Sequence, residues 1–208
     1  MPFVTFEGVE GCGKTTQLAR IAEALRARGV ATCATREPGG TEIGRRIRAI
    51  LMDVENSHLD PVAEWLLYEA DRRQHVAETI RPALLRGEFV LCDRFSDSTE
   101  AYQHAGRGIP PRDVAFVDAI ARDGVAPDLT LVFDLDPSVG LARAQSRDGH
   151  TGRFEAADRA FHERVRAAFL EIAGREPERV RVIAAAGAEA DVFQAAWSLL
   201  ATRFGLAT

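Results

Sequence analysis

The chain has 208 residues and a net charge of −5, from 26 basic and 31 acidic side chains, which argues against a protein whose main task is nucleic-acid binding. No apolar run approaches the length of a membrane span, and the first predicted strand begins too near Met1 to leave room for a signal peptide. The three cysteines, Cys12, Cys33 and Cys92, lie far apart, which favours a reducing compartment over a disulfide framework. We therefore expect one cytoplasmic domain over residues 1–208, with neither a nucleic acid nor a membrane as partner.

The first predicted elements surround a glycine-rich segment. A short apolar strand at residues 3–6 is followed by the segment GVEGCGKT at residues 8–15, which fits the pattern G-x-x-x-x-G-K-S/T, and then by helical spacing over 16–25. A strand that passes through glycines into a helix N-terminus presents backbone N–H groups and the positive end of a helix dipole to phosphate. This predicts a nucleoside triphosphate site in which Lys14 reaches the β- and γ-phosphates and Thr15 ligates Mg²⁺. The predicted contacts of the triphosphate are Gly8, Val9, Glu10, Gly11, Cys12, Gly13, Lys14, Thr15 and Thr16.

The rest of the chain alternates strand-like and helical segments. Further strands are predicted at residues 30–35, 89–92, 129–134 and 180–183. Continuous apolar strands separated by helices indicate a parallel sheet with both faces covered. We therefore expect a three-layer α/β fold of the P-loop NTPase type with a five-stranded parallel sheet.

The helices between these strands have clear start signals. Thr41 is predicted to cap a helix that continues to Asp53, and Asp60 followed by Pro61 is predicted to begin a long helix. Two more helices are predicted, from about residue 155 to 173 and from 190 to 204. The predicted buried face of the long helix carries Leu66, Leu67, Ala70, Val76, Ala77 and Ile80.

An arginine-rich segment at about residues 143–153 is predicted to form a short lid. Two glycines, at 149 and 152, permit the hinge motion that a lid needs. Arg153 and then Arg147 are the candidates for neutralising charge on the transferred phosphoryl group, with Arg143 near the donor nucleotide. A solvated, charged helix end is the alternative interpretation of this segment.

The class of nucleotide-binding protein can be narrowed further. A GTPase needs an Asn-Lys-x-Asp stretch to select its base, and Lys14 is the only lysine in the chain. A small kinase needs a second, phosphate-bearing substrate, and ligands bind at the carboxyl ends of parallel strands. Asp93 and Arg94 end the third predicted strand, where Arg94 is suited to clamp an acceptor phosphate and Asp93 to join Thr15 at the metal. Arg36 ends the second strand and is placed similarly.

Several segments carry a family resemblance, among them the glycine-rich loop with Glu10, residues 127–130 and residues 152–155, and three further segments carry it most closely. The stretches TREPGGT at 35–41, DRFSDSTEAYQ at 93–103 and GRG at 106–108 closely resemble thymidylate kinases. The resemblance implies transfer of the γ-phosphoryl group of ATP to dTMP with Mg²⁺, giving dTDP and ADP, by a homodimeric enzyme. The catalytic candidates are then Lys14, Arg94, Arg153, Asp93 and Arg147.

The same resemblance implies a set of substrate contacts. Tyr68 stacks on thymine, Arg72 bonds the base, and Glu10 holds the sugar 3′-hydroxyl. Arg94 binds the acceptor phosphate. The implied acceptor contacts are Glu10, Arg36, Pro38, Tyr68, Arg72, Arg94, Ser98, Thr99, Tyr102 and Gln103. Independently of the family, Tyr68 and Arg72 are four residues apart on one predicted helix and so share a face.

Other functions stay open at this point. Another nucleoside monophosphate kinase, or a deoxynucleoside kinase of similar fold, has the same general requirements. A P-loop ATPase or regulatory binding module would turn over ATP without an acceptor, and it would leave Tyr68, Arg72 and the Arg94 segment without a role.

Overall fold

The central element is a parallel sheet, as predicted. The computed structural model of the protein describes residues 1–148 and 158–206. The strands are β1 Phe3–Glu7, β2 Thr32–Arg36, β3 Phe89–Asp93, β4 Leu129–Asp134 and β5 Val180–Ala184. All of them pair in parallel, in the order β2-β3-β1-β4-β5. Phe6 of β1 is in register with Asp93 of β3, so the segments that follow these two strands leave the sheet side by side.

The described helices lie between and after the strands. They are α1 Lys14–Ala27, α2 Glu42–Met52, α3 Pro61–His75, α4 Arg81–Leu85, α5 Ser96–Thr99, α6 Pro111–Arg122, α7 Pro137–Asp148, α8 Arg159–Arg175 and α9 Glu189–Phe204. A π-helical turn at Val76–Ile80 connects α3 to α4, and a second one at Glu100–Gly106 follows α5. Within the described ranges, no helix has both the length and the hydropathy needed to cross a bilayer.

Alternate residues of the central strands build two hydrophobic clusters. Val4 and Phe6 of β1 belong to a large cluster with residues of α1, α8 and α9. Phe3, at the start of the same strand, packs with Val76 and Ile80. Because successive strand side chains point to opposite faces, Phe3 packs on one side of the sheet and Val4 and Phe6 on the other. This arrangement is the three-layer fold that the strand pattern predicts.

Both predicted helix starts are confirmed. The Thr41 hydroxyl accepts a 2.9 Å hydrogen bond from the Gly44 N–H at the start of α2. The Asp60 carboxylate accepts from the Val62 N–H at 2.9 Å, and Pro61 is the first residue of α3. In each case the side-chain oxygen satisfies an N–H that has no partner within the helix.

The predicted buried face of the long helix is only partly correct. Val76 and Ile80 are buried, but Leu66 is 48% exposed, and Ala70 and Ala77 are exposed as well. The buried positions of α3 include titratable residues instead, namely Glu64, Glu69, Asp71, Arg72 and His75. Arg72 can be buried because carboxylates neutralise it, since it forms ion pairs with Glu37, Glu69 and Asp118.

Two of the longer described helices were not expected. No helix is predicted where α6 lies, and the residues of α7 from 143 onwards are predicted to begin a lid. The helix predicted from about residue 155 is α8, which begins at Arg159. Residues 149–157 lie outside the described ranges, and they include Arg153 and the second half of the predicted lid.

Candidate active site

The glycine-rich loop connects β1 to α1 and needs glycine at particular positions. Gly13, the residue before α1, has φ 93°, a left-handed conformation that favours glycine. A Cβ on Gly11 would lie 1.9 Å from the carbonyl oxygen of Gly140 in α7. The loop is therefore held closely against α7 as well as at the N-terminus of α1.

Lys14 is folded over this loop. Its Nζ donates hydrogen bonds to the carbonyl oxygens of Gly8 at 3.0 Å and Val9 at 2.8 Å, and the side chain is buried. Val9 is itself a core residue. Gly8 and Val9 therefore act as acceptors for the lysine, and the ammonium group is held at the loop where a polyphosphate would bind.

One cavity of about 530 Å³ joins the loop to the residues that are predicted to bind the acceptor. Eighteen of the residues predicted from the sequence line this cavity, namely Glu10, Gly11, Cys12, Gly13, Lys14, Thr15, Thr16, Arg36, Pro38, Tyr68, Arg72, Asp93, Arg94, Ser98, Thr99, Tyr102, Gln103 and Arg143. Gly8 and Val9 do not line it. The side chain of Arg147 and all of Arg153 lie outside the described part of the chain, so their predicted role stays a prediction.

Arg94 occupies the centre of the cavity wall. Its φ is 70°, a conformation that costs a non-glycine residue roughly 1–3 kcal/mol and persists only when the surroundings fix it. The guanidinium donates to the Gly8 carbonyl at 3.0 Å, the Tyr102 hydroxyl at 3.1 Å and Glu10 Oε1 at 3.2 Å. These bonds hold a permanent positive charge between the phosphate loop and the rest of the cavity.

Glu7 fixes the segment that follows Arg94. Its carboxyl group is fully buried and accepts hydrogen bonds from the Phe95 N–H at 2.7 Å and the Ser98 hydroxyl at 2.6 Å. Burial, and then the negative charge of Asp97, raises the pKa of Glu7 to about 8. A largely protonated acid at this position anchors the turn without placing a full negative charge beneath Arg94.

Glu10 has the opposite protonation behaviour. Burial disfavours its charged form, but the contact with His162 and the charges of Arg94 and Lys14 lower its pKa to about 2. The Tyr102 hydroxyl donates to Oε1 at 2.6 Å. Glu10 is therefore a carboxylate near neutral pH and can only accept hydrogen bonds.

Tyr68 and Arg72 line the cavity together, as their helical spacing predicts. Arg72 is buried, and its guanidinium donates to Glu37 at 2.9 Å, to Glu69 at 3.0 Å and to the Thr99 hydroxyl at 2.8 Å. This network fixes the plane of the guanidinium. A rigid donor and an aromatic ring in the same cavity suit a flat ligand with hydrogen-bonding groups at its edge.

Two residues near the predicted acceptor contacts were missed in the sequence. Arg48 of α2 lines the cavity, and its guanidinium donates to the Pro38 carbonyl at 3.1 Å. Burial, and then the charge of Arg36, lowers the pKa of Arg48, so these two guanidinium groups lie close together. Glu37 is buried and accepts from both Arg72 and His75. Nothing in the sequence distinguishes Arg48 from its exposed neighbours Arg45 and Arg46, whereas Glu37 lies inside the TREPGGT segment.

The opposite end of the cavity is formed by α7 and the segment after β5. Arg143 lines it together with Ala185 and Gly187, and the Arg143 guanidinium lies 3.4 Å from the Ala185 carbonyl oxygen. This end adjoins the glycine-rich loop, because Gly140 of α7 packs against Gly11. The expectation that Arg143 lies near the donor nucleotide stays a prediction.

Phosphoryl transfer between two ligands requires one space that reaches both of them. Here a phosphate-binding loop and a group of three arginines, Arg36, Arg48 and Arg94, line the same cavity at the carboxyl edge of a parallel sheet. A fold and a site of this kind define a P-loop kinase that acts on a small phosphorylated acceptor.

Comparisons with known proteins give the family. The family model for thymidylate kinase matches residues 6–196. The chain is 50% identical over 204 residues to thymidylate kinase of Solidesulfovibrio magneticus, and the match covers 95% of this chain and 98% of that one. It is 48% identical over 201 residues to thymidylate kinase of Deinococcus radiodurans, and that match covers 97% of each chain. It is also similar to the crystal structure of thymidylate kinase from Ehrlichia chaffeensis, with a TM-score of 0.78 and 33% identity, over 96% of this chain and 98% of that one. The chain belongs to the thymidylate kinase family.

Proposed function

We propose that the cavity binds ATP at the glycine-rich loop and dTMP at the arginine side, and that the γ-phosphoryl group passes directly between them. As a member of the thymidylate kinase family, the chain phosphorylates dTMP with ATP to give dTDP and ADP. The observation that supports the assignment of residues is that one cavity joins the loop, Arg94 and the Tyr68–Arg72 pair. In the transfer, an oxygen of the dTMP phosphate forms a bond to the γ-phosphorus while the bond to the bridging oxygen of ADP breaks.

The acceptor phosphate is held by arginines. Arg94 forms the principal contact, and Arg36 and Arg48 supply further positive charge from β2 and α2. The phosphate of dTMP is already largely ionised at pH 7, so the reaction needs no strong general base. The contribution of these residues is alignment of the acceptor and neutralisation of its charge.

The nucleoside is recognised between α3 and the segment after β3. Tyr68 stacks on thymine, Arg72 and Thr99 bond the base, and Tyr102 and Gln103 lie beside the sugar. Glu10 accepts a hydrogen bond from the 3′-hydroxyl, because an ionised carboxylate close to phosphates attracts a hydroxyl donor and repels an anion. Pro38 and Ser98 complete the wall of the site.

The donor end combines the loop with a pair of oxygen ligands. The Thr15 hydroxyl lies 2.5 Å from Asp93 Oδ2, and both side chains line the cavity. Hard oxygen atoms of this kind suit Mg²⁺, which uses one or two protein ligands together with phosphate oxygens and water. When bound, Mg²⁺ would neutralise charge on the phosphates of ATP. Lys14 reaches the β- and γ-phosphates and Arg143 the donor nucleotide, while Arg147 and Arg153 are proposed, from the sequence alone, to cover the γ-phosphate.

We also propose a single domain over residues 1–208, a cytoplasmic location and a homodimer. Exposed apolar side chains lie on α2 (Ile43 and Ile50), α3 (Val62 and Leu66) and α6 (Phe116 and Ile120). The helix α3 packs against both of the others, so these side chains form stripes on three neighbouring helices. A second copy of the chain would bury such a self-complementary face around a two-fold axis.

The function can be tested with a panel of acceptors. Purified protein, ATP and Mg²⁺ are incubated with dTMP, dUMP, dCMP, AMP or thymidine, and ADP release and product are measured. We expect dTDP from dTMP at the highest kcat/KM, and Arg94→Ala should lower that value by at least about 10²-fold. The matched control is Arg86→Ala, which removes an exposed arginine that pairs with Glu88. ADP release without any acceptor, or a preference for AMP or thymidine, would contradict the proposal.

A further inference from the structure

Two buried polar groups face each other where α8 passes the glycine-rich loop. His162, in the first turn of α8, is 0% exposed, and neither of its ring nitrogens has a hydrogen-bond partner within the described residues. Glu10 Oε2 is also buried and lacks a hydrogen bond among those residues. The two groups are 3.4 Å apart, from His162 Nδ1 to Glu10 Oε2.

This pairing is more specific than core packing requires. The ring of His162 packs edge-on against Phe161, a residue of the large hydrophobic cluster, and an apolar side chain at this position would need no polar partner. A buried polar atom without a partner is destabilising, so a chain that keeps two of them this close keeps them for each other. A shift of a few tenths of an ångström would complete a hydrogen bond in which Nδ1–H donates to the carboxylate.

The other oxygen of Glu10 shows what this bond would accomplish. Glu10 Oε1 accepts from the Tyr102 hydroxyl at 2.6 Å and from Arg94 at 3.2 Å. A carboxylate held at Oε1 alone can still rotate, whereas one held at both oxygens has a fixed plane. A fixed plane directs the remaining lone pairs of Glu10 into the cavity, where a ligand hydroxyl can meet them.

We propose that His162 is a positioning residue, which fixes the Glu10 carboxylate so that the site selects an acceptor nucleotide with a 3′-hydroxyl. This inference rests on the proposed function, since it takes dTMP as the acceptor and Glu10 as the sugar contact. His162 lies behind Glu10 and touches no substrate itself. Its effect should therefore depend on whether the acceptor carries the 3′-hydroxyl.

The test compares dTMP with its 3′-deoxy analogue, 2′,3′-dideoxythymidine 5′-monophosphate, at saturating ATP. We expect the wild type to prefer dTMP by about 10- to 100-fold in kcat/KM, the range for a hydrogen bond to a charged group. His162→Leu should reduce this preference about tenfold through a loss for dTMP, with the analogue used nearly as before. His162→Asn should restore most of the preference, because its side-chain amide nitrogen can take the place of Nδ1.

Two further variants keep the result interpretable. His162→Gln carries its amide nitrogen near the position of Nε2 instead, so it should behave like His162→Leu. If His162→Leu does not fold, the glutamine variant provides the same comparison. In a Glu10→Gln background, His162→Leu should not change the preference for dTMP over the analogue, because the carboxylate that His162 positions is absent. His58→Leu, at an exposed histidine outside the cavity, is the control and should match the wild type.

Results that contradict the role of His162 can be distinguished from results that contradict the proposed function. An equal loss for both acceptors in His162→Leu, or no difference between the asparagine and glutamine variants, would show that His162 only fills space. Equal use of dTMP and the analogue by the wild type would overturn the role of His162 while leaving phosphoryl transfer to dTMP intact. A wild type that phosphorylates neither would refute the proposed function itself.

Discussion

The hydroxyl of Thr15 donates a 2.5 Å hydrogen bond to Asp93 Oδ2, although the two residues are 78 positions apart in the chain. Thr15 lies in the first turn of α1, and Asp93 ends β3. The parallel register between β1 and β3 brings them together, since it places the ends of both strands at one edge of the sheet. The pair thus connects the phosphate loop to the acceptor segment at the position proposed for Mg²⁺.

Thr15→Val should separate the chemical role of this hydroxyl from its role in packing. Valine has nearly the same shape, and Thr15 is exposed, so the thermal midpoint should change little. The rate should fall by about 10²-fold or more at fixed Mg²⁺, because a ligand of the charge-neutralising ion is lost. A titration of activity against Mg²⁺ measures the effect. Thr15→Ser should recover most of the rate, and a valine variant with the Mg²⁺ dependence of the wild type would refute the assignment.

Glu7 should make stability depend on pH in a defined direction. Its pKa in the folded protein is about 8, above the ordinary value of 4.5, so the folded chain keeps a proton that the unfolded chain releases. The contribution of Glu7 to stability is therefore fully present below about pH 4.5 and is lost as the pH rises to about 8. Relative to Glu7→Gln, which cannot ionise, the wild type should lose a few kcal/mol of unfolding free energy over that range.

Urea unfolding of both proteins at pH 5, 6.5, 8 and 9 measures this difference. The glutamine side chain of the variant can still accept from the Phe95 N–H, so the variant should fold. Glu23→Gln, which removes an exposed carboxylate from α1, is the matched control and should run parallel to the wild type. Parallel curves for Glu7→Gln as well would show that Glu7 is not protonated in the folded state.

The sheet could be predicted from the sequence because each strand is a short apolar run between helical segments. Every residue of β1 is buried, and a strand of that kind has a recognisable composition. The helix α3 shows the limit of predicting burial from apolar periodicity, because the periodicity does not show whether another element packs against the apolar face. Leu66 remains on the surface while Arg72 is buried, since Arg72 has carboxylate partners that only the folded chain brings together.

The site was predictable to the extent that its residues lie in short motifs. The glycine-rich loop follows from its spacing and from the elements on either side, and other cavity residues were found through the family resemblance, which predicts them as acceptor contacts. His162 and Arg48 carry no such signal, because a polar residue on a helix is usually solvated. His162 lies against Glu10, and Arg48 bonds to the Pro38 carbonyl. In each case only the folded chain brings the partner into reach.

Arg48→Gln should weaken the binding of dTMP without changing the chemical step much. Arg48 adds positive charge to the acceptor side together with Arg36 and bonds to the Pro38 carbonyl, whereas Arg94 bonds to the Gly8 carbonyl of the glycine-rich loop. We expect KM for dTMP to rise about tenfold and kcat to change less than about threefold, as for the loss of one charge-assisted contact. Arg46→Gln, on the same helix but exposed and paired with Glu42, should leave both constants unchanged. A fall in kcat with constant KM would place Arg48 in the transition state instead.

The exposed apolar stripes give the last prediction. Phe116 is 69% exposed on α6 and Leu66 is similarly uncovered on α3, which is unusual for large apolar side chains on neighbouring helices. If a second copy covers them, a charge at either position should be buried without a partner and should oppose association. Leu66→Glu and Phe116→Glu should therefore shift the mass measured by light scattering at micromolar concentration from dimer to monomer.

Leu85→Glu is the matched control for this experiment. Leu85 is even more exposed but lies on α4, outside the three stripes, so the substitution should leave the mass unchanged. Far-ultraviolet circular dichroism of each variant shows whether it is folded, which an exposed position should allow. A wild type that is monomeric under these conditions, or variants that remain dimeric, would mean that this face does not bind a second copy, and the apolar stripes would then need another explanation.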